Sequence, residues 1–197
     1  MPELADHIRA CLDDFLGQVA SEQIEIYNEA SVQYELAILL RQALRASAKV
    51  QLERPYAALH VSQTARCVKK EIDIAVFTPD QSSVHAIEIK FPRNGQYPEQ
   101  MFSFCKDVLF LEQLAMVGVG PSWFLVIADD HLFWEGQERD GIYGAFRSGQ
   151  PISGRVLKPT GSTSEVLEFQ GRYPVAWHEL DRWRKYALIE VRRPDFR

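Results

Sequence analysis

Asp73, Glu88 and Lys90 are the residues of this chain whose types and spacing suit chemistry. They fall in two neighbouring apolar runs, Glu71–Phe77 and Val84–Phe91, which alternate in polarity and read as strands. The intervening Thr78-Pro79-Asp80-Gln81-Ser82-Ser83 is rich in turn formers. A hairpin symmetric about that turn pairs Ile74 with Ile87 and Ile72 with Ile89, and so sets Asp73 opposite Glu88 and Glu71 opposite Lys90. Two carboxylates facing each other across a ladder, with Cβ atoms about 5 Å apart, are destabilising unless positive charge lies between them. A divalent cation is the natural candidate, because hard cations take carboxylate oxygens. Lys90 lies two residues past Glu88 and projects from the same strand face.

The elements that must position this trio can be read on either side of it. Leu4, Ile8, Leu12, Phe15, Leu16 and Val19 recur at helical spacing, with acids off the stripe, and define a first amphipathic helix. A second runs from about Glu29 to Ala46, with Asn28 as its cap and Glu35 at the margin of its apolar stripe. A carboxylate there either finds a partner or reaches out to water. Val50–Tyr56 reads as a strand, and Ala57–Cys67 carries no clear period. Pro98 suits the first turn of a helix ending near Met116. Trp123–Ala128 is a continuous apolar run of strand length, expected to be buried on both faces. Beyond it, His131–Trp134, Val166–Phe169 and Ala187–Val191 look like short strands and Gly149–Ser164 like loops. A meander followed by a crossover helix and a further strand implies an α/β fold, a mixed sheet with helices on both faces.

With 197 residues, 46% apolar and 25% charged, the chain suits one globular domain with a substantial core. The longest apolar stretch, Met116–Ala128, is short and broken by Gly118, Gly120 and Pro121, so no membrane span is expected. The acidic start, with Glu3 and Asp6, does not fit a signal peptide. Cys11, Cys67 and Cys105 match neither a disulfide framework nor a zinc spacing and point to a reducing, cytoplasmic setting. The net charge of −5 gives no overall pull toward nucleic acid. Its distribution is uneven: residues 1–30 carry seven acids against Arg9, whereas residues 172–197 carry seven bases against four acids. Those bases include Arg182, Arg184, Lys185, Arg192 and Arg193, which could hold a phosphate backbone or simply form a solvated surface. Trp177, Trp183 and Tyr186 interleave with the first three and either stack on bases or pack.

Glu35 on a helix, Asp73 on a strand and Glu88-Ile89-Lys90 on the next strand resemble the PD-(D/E)XK nuclease superfamily, the restriction-endonuclease-like fold. The resemblance covers about residues 28–128 of a single 1–197 domain. It implies a metal-dependent nuclease acting on nucleic acid, DNA by preference, with Mg2+ or Mn2+ as cofactor. It makes Asp73 and Glu88 metal ligands, with the Ile89 carbonyl and Glu35 completing the set. Lys90 would then orient or deprotonate the attacking water, or stabilise developing charge on the phosphate. Phosphodiester hydrolysis needs these parts, because a cation offsets phosphate charge and lowers the pKa of a bound water. Two departures stand out: Ile72 occupies the family's proline position, and Glu71 shares the face of Asp73, where it is either an extra ligand or an ion-pair partner of Lys90. Gln100 and Phe104 have the spacing of a glutamine–aromatic pair found in some branches, although the aromatic there is usually tyrosine. Gln100, Lys106 and Asp107 are candidates for site-facing polar residues, although a solvated helix face is the commoner setting for Lys106 and Asp107.

The alternative is a nuclease-like domain that binds nucleic acid or a protein partner without cutting. Dimerisation would double the basic surface. No other chemistry competes: His7, His60, His85, His131 and His178 are scattered, no nucleophile elbow is present, and Gly118-Val119-Gly120 lacks the rest of a dinucleotide fingerprint.

Overall fold

The computed structural model describes residues 3–59, 61, 67–93, 95–161 and 165–194. Two helices open the chain, α1 (Leu4–Ala20) and α2 (Glu29–Leu44). The expected cap is present: Asn28 Oδ1 accepts from the Ser31 N–H at 2.7 Å, and Ser31 Oγ accepts in return from the Asn28 N–H at 3.1 Å. There follow β1 (Lys49–Pro55), β2 (Glu71–Phe77), β3 (Val84–Lys90), α3 (Tyr97–Met116) and β4 (Ser122–Ala128). The chain continues through α4 (Ile142–Arg147), β5 (Ile152–Leu157), β6 (Val166–Tyr173), β7 (Trp177–Glu179) and β8 (Lys185–Val191).

Six strands form one mixed sheet in the order β1-β2-β3-β4-β8-β7. Neighbours are antiparallel except β3 and β4, which run parallel, as α3 crossing between them requires. Every residue of β4 is buried, because helices cover both faces. On one face Ile8, Leu12, Phe15, Val32, Leu36 and Leu40 of α1 and α2 pack on Ile74, Ile87 and Leu125. On the other, Met101, Phe104, Val108 and Leu111 of α3 pack on Ala75, Ala86, Phe124 and Ile189. Each such fully buried large side chain contributes about 1.5–3 kcal/mol of hydrophobic stabilisation. Among the described residues no helix is long and apolar enough to cross a membrane.

Two expectations for the second half of the chain are corrected. His131–Phe133 is a short 3-10 turn rather than a strand; the Asp130 carboxylate accepts from the Leu132 N–H at 3.0 Å and bends the chain. Residues 149–164 are not all loop: β5 pairs antiparallel with β6 as a separate ribbon against α3, with a register shift at Ser153/Gly154 that hides its alternation. Residues 162–164 of that stretch lie outside the described residues, as do residues 60 and 62–66 of Ala57–Cys67. His85 is packed, as its strand position suggests, with Nδ1 2.7 Å from the Pro121 carbonyl oxygen and its ring beside Trp123.

Candidate functional site

The hairpin register is the expected one, with Ile74 opposite Ile87, but the ladder ends there. Beyond it the strands fork, and side chains take the place of cross-strand carbonyls. The Asp73 N–H donates to Glu88 Oε1 at 3.2 Å, and the Ile89 N–H donates to Asp73 Oδ2 at 2.7 Å. Each carboxylate thus satisfies a buried backbone donor of the opposite strand. On the other side of β2, Leu52 pairs with Ile74 and Arg54 with Ile72, while the intervening Glu53 adopts a left-handed φ of 48°. The alternation of β2 resets at the same place. Ile72 joins Ala75 and Phe77 under α3, whereas Ile74 and Val76 face α1 and α2.

The fork collects three buried acids: Asp73, Glu88 and, from α3, Asp107, which is 2% exposed. Asp107 is therefore not on a solvated helix face as its sequence position suggested. The positive charge between the acids belongs to Lys69. Its ammonium donates to Glu88 Oε2 and, at 2.8 Å, to Asp107 Oδ1, and lies 3.9 Å from Asp73 Oδ1. Lys90 does not pair with Glu71. Its ammonium lies 3.3 Å from Asp107 Oδ2 and 3.4 Å from Glu29 Oε1, and donates to the Ile89 carbonyl at 3.0 Å. Glu71 is exposed at the rim of an open depression of about 470 Å³, whose lining includes Glu29, Glu53, Lys69, Asp73 and Lys90.

The electrostatics follow from burial. Desolvation, partly offset by Lys69 and Lys90, pushes the Asp73 carboxyl up to about 6. Desolvation, with Asp73 and Asp107 adding to it, holds Glu88 well above the usual carboxylate range. Burial alone would lower both lysines. The charges of Glu88, Asp107 and Asp73 outweigh it at Lys69, and those of Asp107, Glu29 and Asp73 outweigh it at Lys90, so both stand above the ordinary lysine value. Lys90 is accordingly a fixed cation here rather than a proton acceptor.

Glu35 is not brought to the site. It is half-buried in mid-α2 and forms no hydrogen bond or ion pair among the described residues. The acid that α2 contributes is Glu29, at the helix start, about 9 Å along the axis from Glu35. Gln100 is half-buried in the first turn of α3, and Phe104 packs in the aromatic core beside Phe124, Phe133 and Phe146. Lys106 pairs with Glu165 outside the site. The basic candidates split. Arg182, Arg184 and Lys185 lie at the end of β8 that pairs with Ala128, the end of the sheet where Lys90 stands. Arg192 and Arg193 follow the opposite end of β8, about 20 Å away along the strand.

Lys69 and Glu29 are site residues that the sequence reading missed, and Asp107 is site-facing where a solvated helix face was the favoured expectation. One signal was present for Asp107: an acid next to Val108, three residues after Phe104 and four before Leu111, sits on a buried stripe. As a cation site, the donor set is hard oxygen throughout, and buried Asp107 Oδ2 accepts no hydrogen bond. Three buried acids against two lysines leave room for one more positive charge. Among the described residues, however, no group of three ligating side chains is arranged around a metal position, because Lys69 fills the space between the carboxylates. Comparison with protein-family models, curated proteins and solved structures gives no match.

Proposed function

We propose that this chain is a metal-dependent nuclease of the restriction-endonuclease-like, PD-(D/E)XK kind, hydrolysing phosphodiester bonds of nucleic acid, DNA by preference. The observation that carries the reading is the fork itself: two buried carboxylates converge where adjacent strands part, with Lys90 beside them at the mouth of an open depression. The order α2, β1–β2–β3 meander, α3, parallel β4 supports it. Asp73 and Glu88, with the Ile89 carbonyl, would hold Mg2+ or Mn2+, and Glu29 replaces Glu35 as the helix acid nearest the site. Such an ion, when bound, would supply an acidified water and offset phosphate charge. Lys90, kept cationic by Asp107 and Glu29, faces the negative charge that develops on the phosphate. Asp107 positions both lysines from the helix side.

Cleavage of single- and double-stranded substrates with Mg2+ or Mn2+, compared with Lys90→Ala and Asp73→Asn, tests this. Equal activity in wild type and variants would sink it. A second reading is a non-cutting domain that binds nucleic acid or a protein. It draws support from the Lys69 ammonium, which already stands between the acids without any ion. Manganese binding that disappears in Asp73→Asn separates the two readings, since a site that keeps Lys69 in place takes up no ion there.

A further inference from the structure

Beside the fork lies a second, larger depression of about 700 Å³. The α1–α2 loop, the segment after β3 and the β7–β8 turn wall it. It shares an edge with the candidate site: Tyr27 stands two residues before Glu29, and Phe91 follows Lys90 directly. Arg93 closes that edge by donating to the Tyr27 carbonyl at 2.7 Å.

Two aromatic rings stand in this groove largely in water, Trp183 at 70% and Tyr27 at 61% exposure. The Trp183 backbone is nonetheless pinned. The N–H groups of Trp183 and Arg184 both donate to Asp181 Oδ1, at 2.8 and 2.9 Å, and the Arg184 side chain donates to Asp181 Oδ2 at 2.6 Å and to the Ile26 carbonyl at 3.3 Å. An exposed indole on a rigid turn contributes little to the core and costs little ordering when a ligand stacks on it. The Arg182 guanidinium lies 4.6 Å over the same ring and forms no ion pair among the described residues. Glu22, Glu25 and Asp129 offset the remaining arginines, so the lining is not a phosphate clamp. Flat, polarisable and near neutral, it suits a base rather than a backbone.

We infer that this groove is a stacking subsite for an unpaired base, so that the substrate enters as a single strand or a frayed end, with Trp183 as the platform. The inference rests on the nuclease reading only for placing the groove next to the cleaved phosphate. It is tested by fluorescence anisotropy of a labelled single strand, the matching duplex and an abasic strand of equal length, all with EDTA so that nothing is cut. The single strand binds most tightly. Trp183→Ala weakens it about tenfold, in line with the loss of one base–aromatic stack. Removing the bases has the same effect, and Leu157→Ala, an exposed apolar control on the β5–β6 ribbon, changes nothing. Equal binding by Trp183→Ala, equal binding of the abasic strand, or no binding of any strand overturns the subsite. If Trp183→Ala binds normally while Lys90→Ala abolishes cleavage, the groove assignment alone fails. If Trp183-dependent binding occurs without any cleavage, the nuclease reading alone fails.

Discussion

Helix α3 buries two carboxylates five residues apart, each 2% exposed, and treats them in opposite ways. Glu112 is saturated by neutral donors: the Gln170 N–H at 3.0 Å, the Gly171 N–H at 2.7 Å and the Tyr173 hydroxyl at 2.7 Å. It ties the β5–β6 ribbon to the helix. Asp107 instead faces two ammonium groups, leaves one oxygen without a hydrogen bond and sits with two further acids whose carboxyls burial pushes above the usual range. A carboxylate whose lone pairs are met by fixed backbone donors belongs to architecture. One held only by side-chain ammonium groups has no such fixed partners, and burial beside other charges is the setting in which functional carboxylates are found.

The comparison is sharpened most by activity. Lys90→Ala and Asp73→Asn should each lower phosphodiester cleavage by about 10²–10³-fold, the scale of losing one charge-stabilising group, while a nuclease assay on Glu112→Gln shows normal turnover per folded molecule. Lys69→Ala leaves Glu88 buried without its cation and should cost about 3–5 kcal/mol by chemical denaturation; added Mn2+ should recover much of that, and indifference to Mn2+ would argue against a cation site. Glu112→Ala strands two N–H groups and a hydroxyl, for about 2–4 kcal/mol, with no rescue by any ion.

A pH effect comes next. Asp73 holds its proton more tightly folded than unfolded, with a pKa near 6 against an ordinary 3.8. The folded state therefore gains stability that is fully present below pH 3.8 and is lost as the pH rises through about 6. Denaturant midpoints measured across that window should decline with rising pH in wild type and decline less steeply in Asp73→Asn, where Glu88 alone keeps a raised carboxyl. The smallest effect is expected at Glu35→Gln: cleavage unchanged and stability within about 0.5 kcal/mol.

The hairpin could be read from the chain because alternation fixes register, and Ile74 opposite Ile87 came out as the pattern required. The fork could not, since it depends on a left-handed Glu53 in a different strand and on two side chains replacing ladder bonds. Lys69 meets Asp107 across 38 residues and Lys90 meets Glu29 across 61, so only the closed sheet brings those partners together. Glu35 flanks the apolar stripe and matches the helix acid that the resemblance implies, yet the start of α2, not its middle, reaches the strand ends through Glu29. Val166–Phe169 was legible as part of β6, but its partner β5 was not, because β5 is mostly half-exposed or exposed and its pairing shifts at Gly154.

The hydrogen bond from Arg184 to the Ile26 carbonyl spans 158 residues. Its consequence concerns synthesis. A ribosome making this chain releases α1 and α2 early, but the far wall of the groove does not exist until the β7–β8 turn emerges and β8 slots between β4 and β7. Whatever the nascent chain meets on the way out, it meets with its grip still half built.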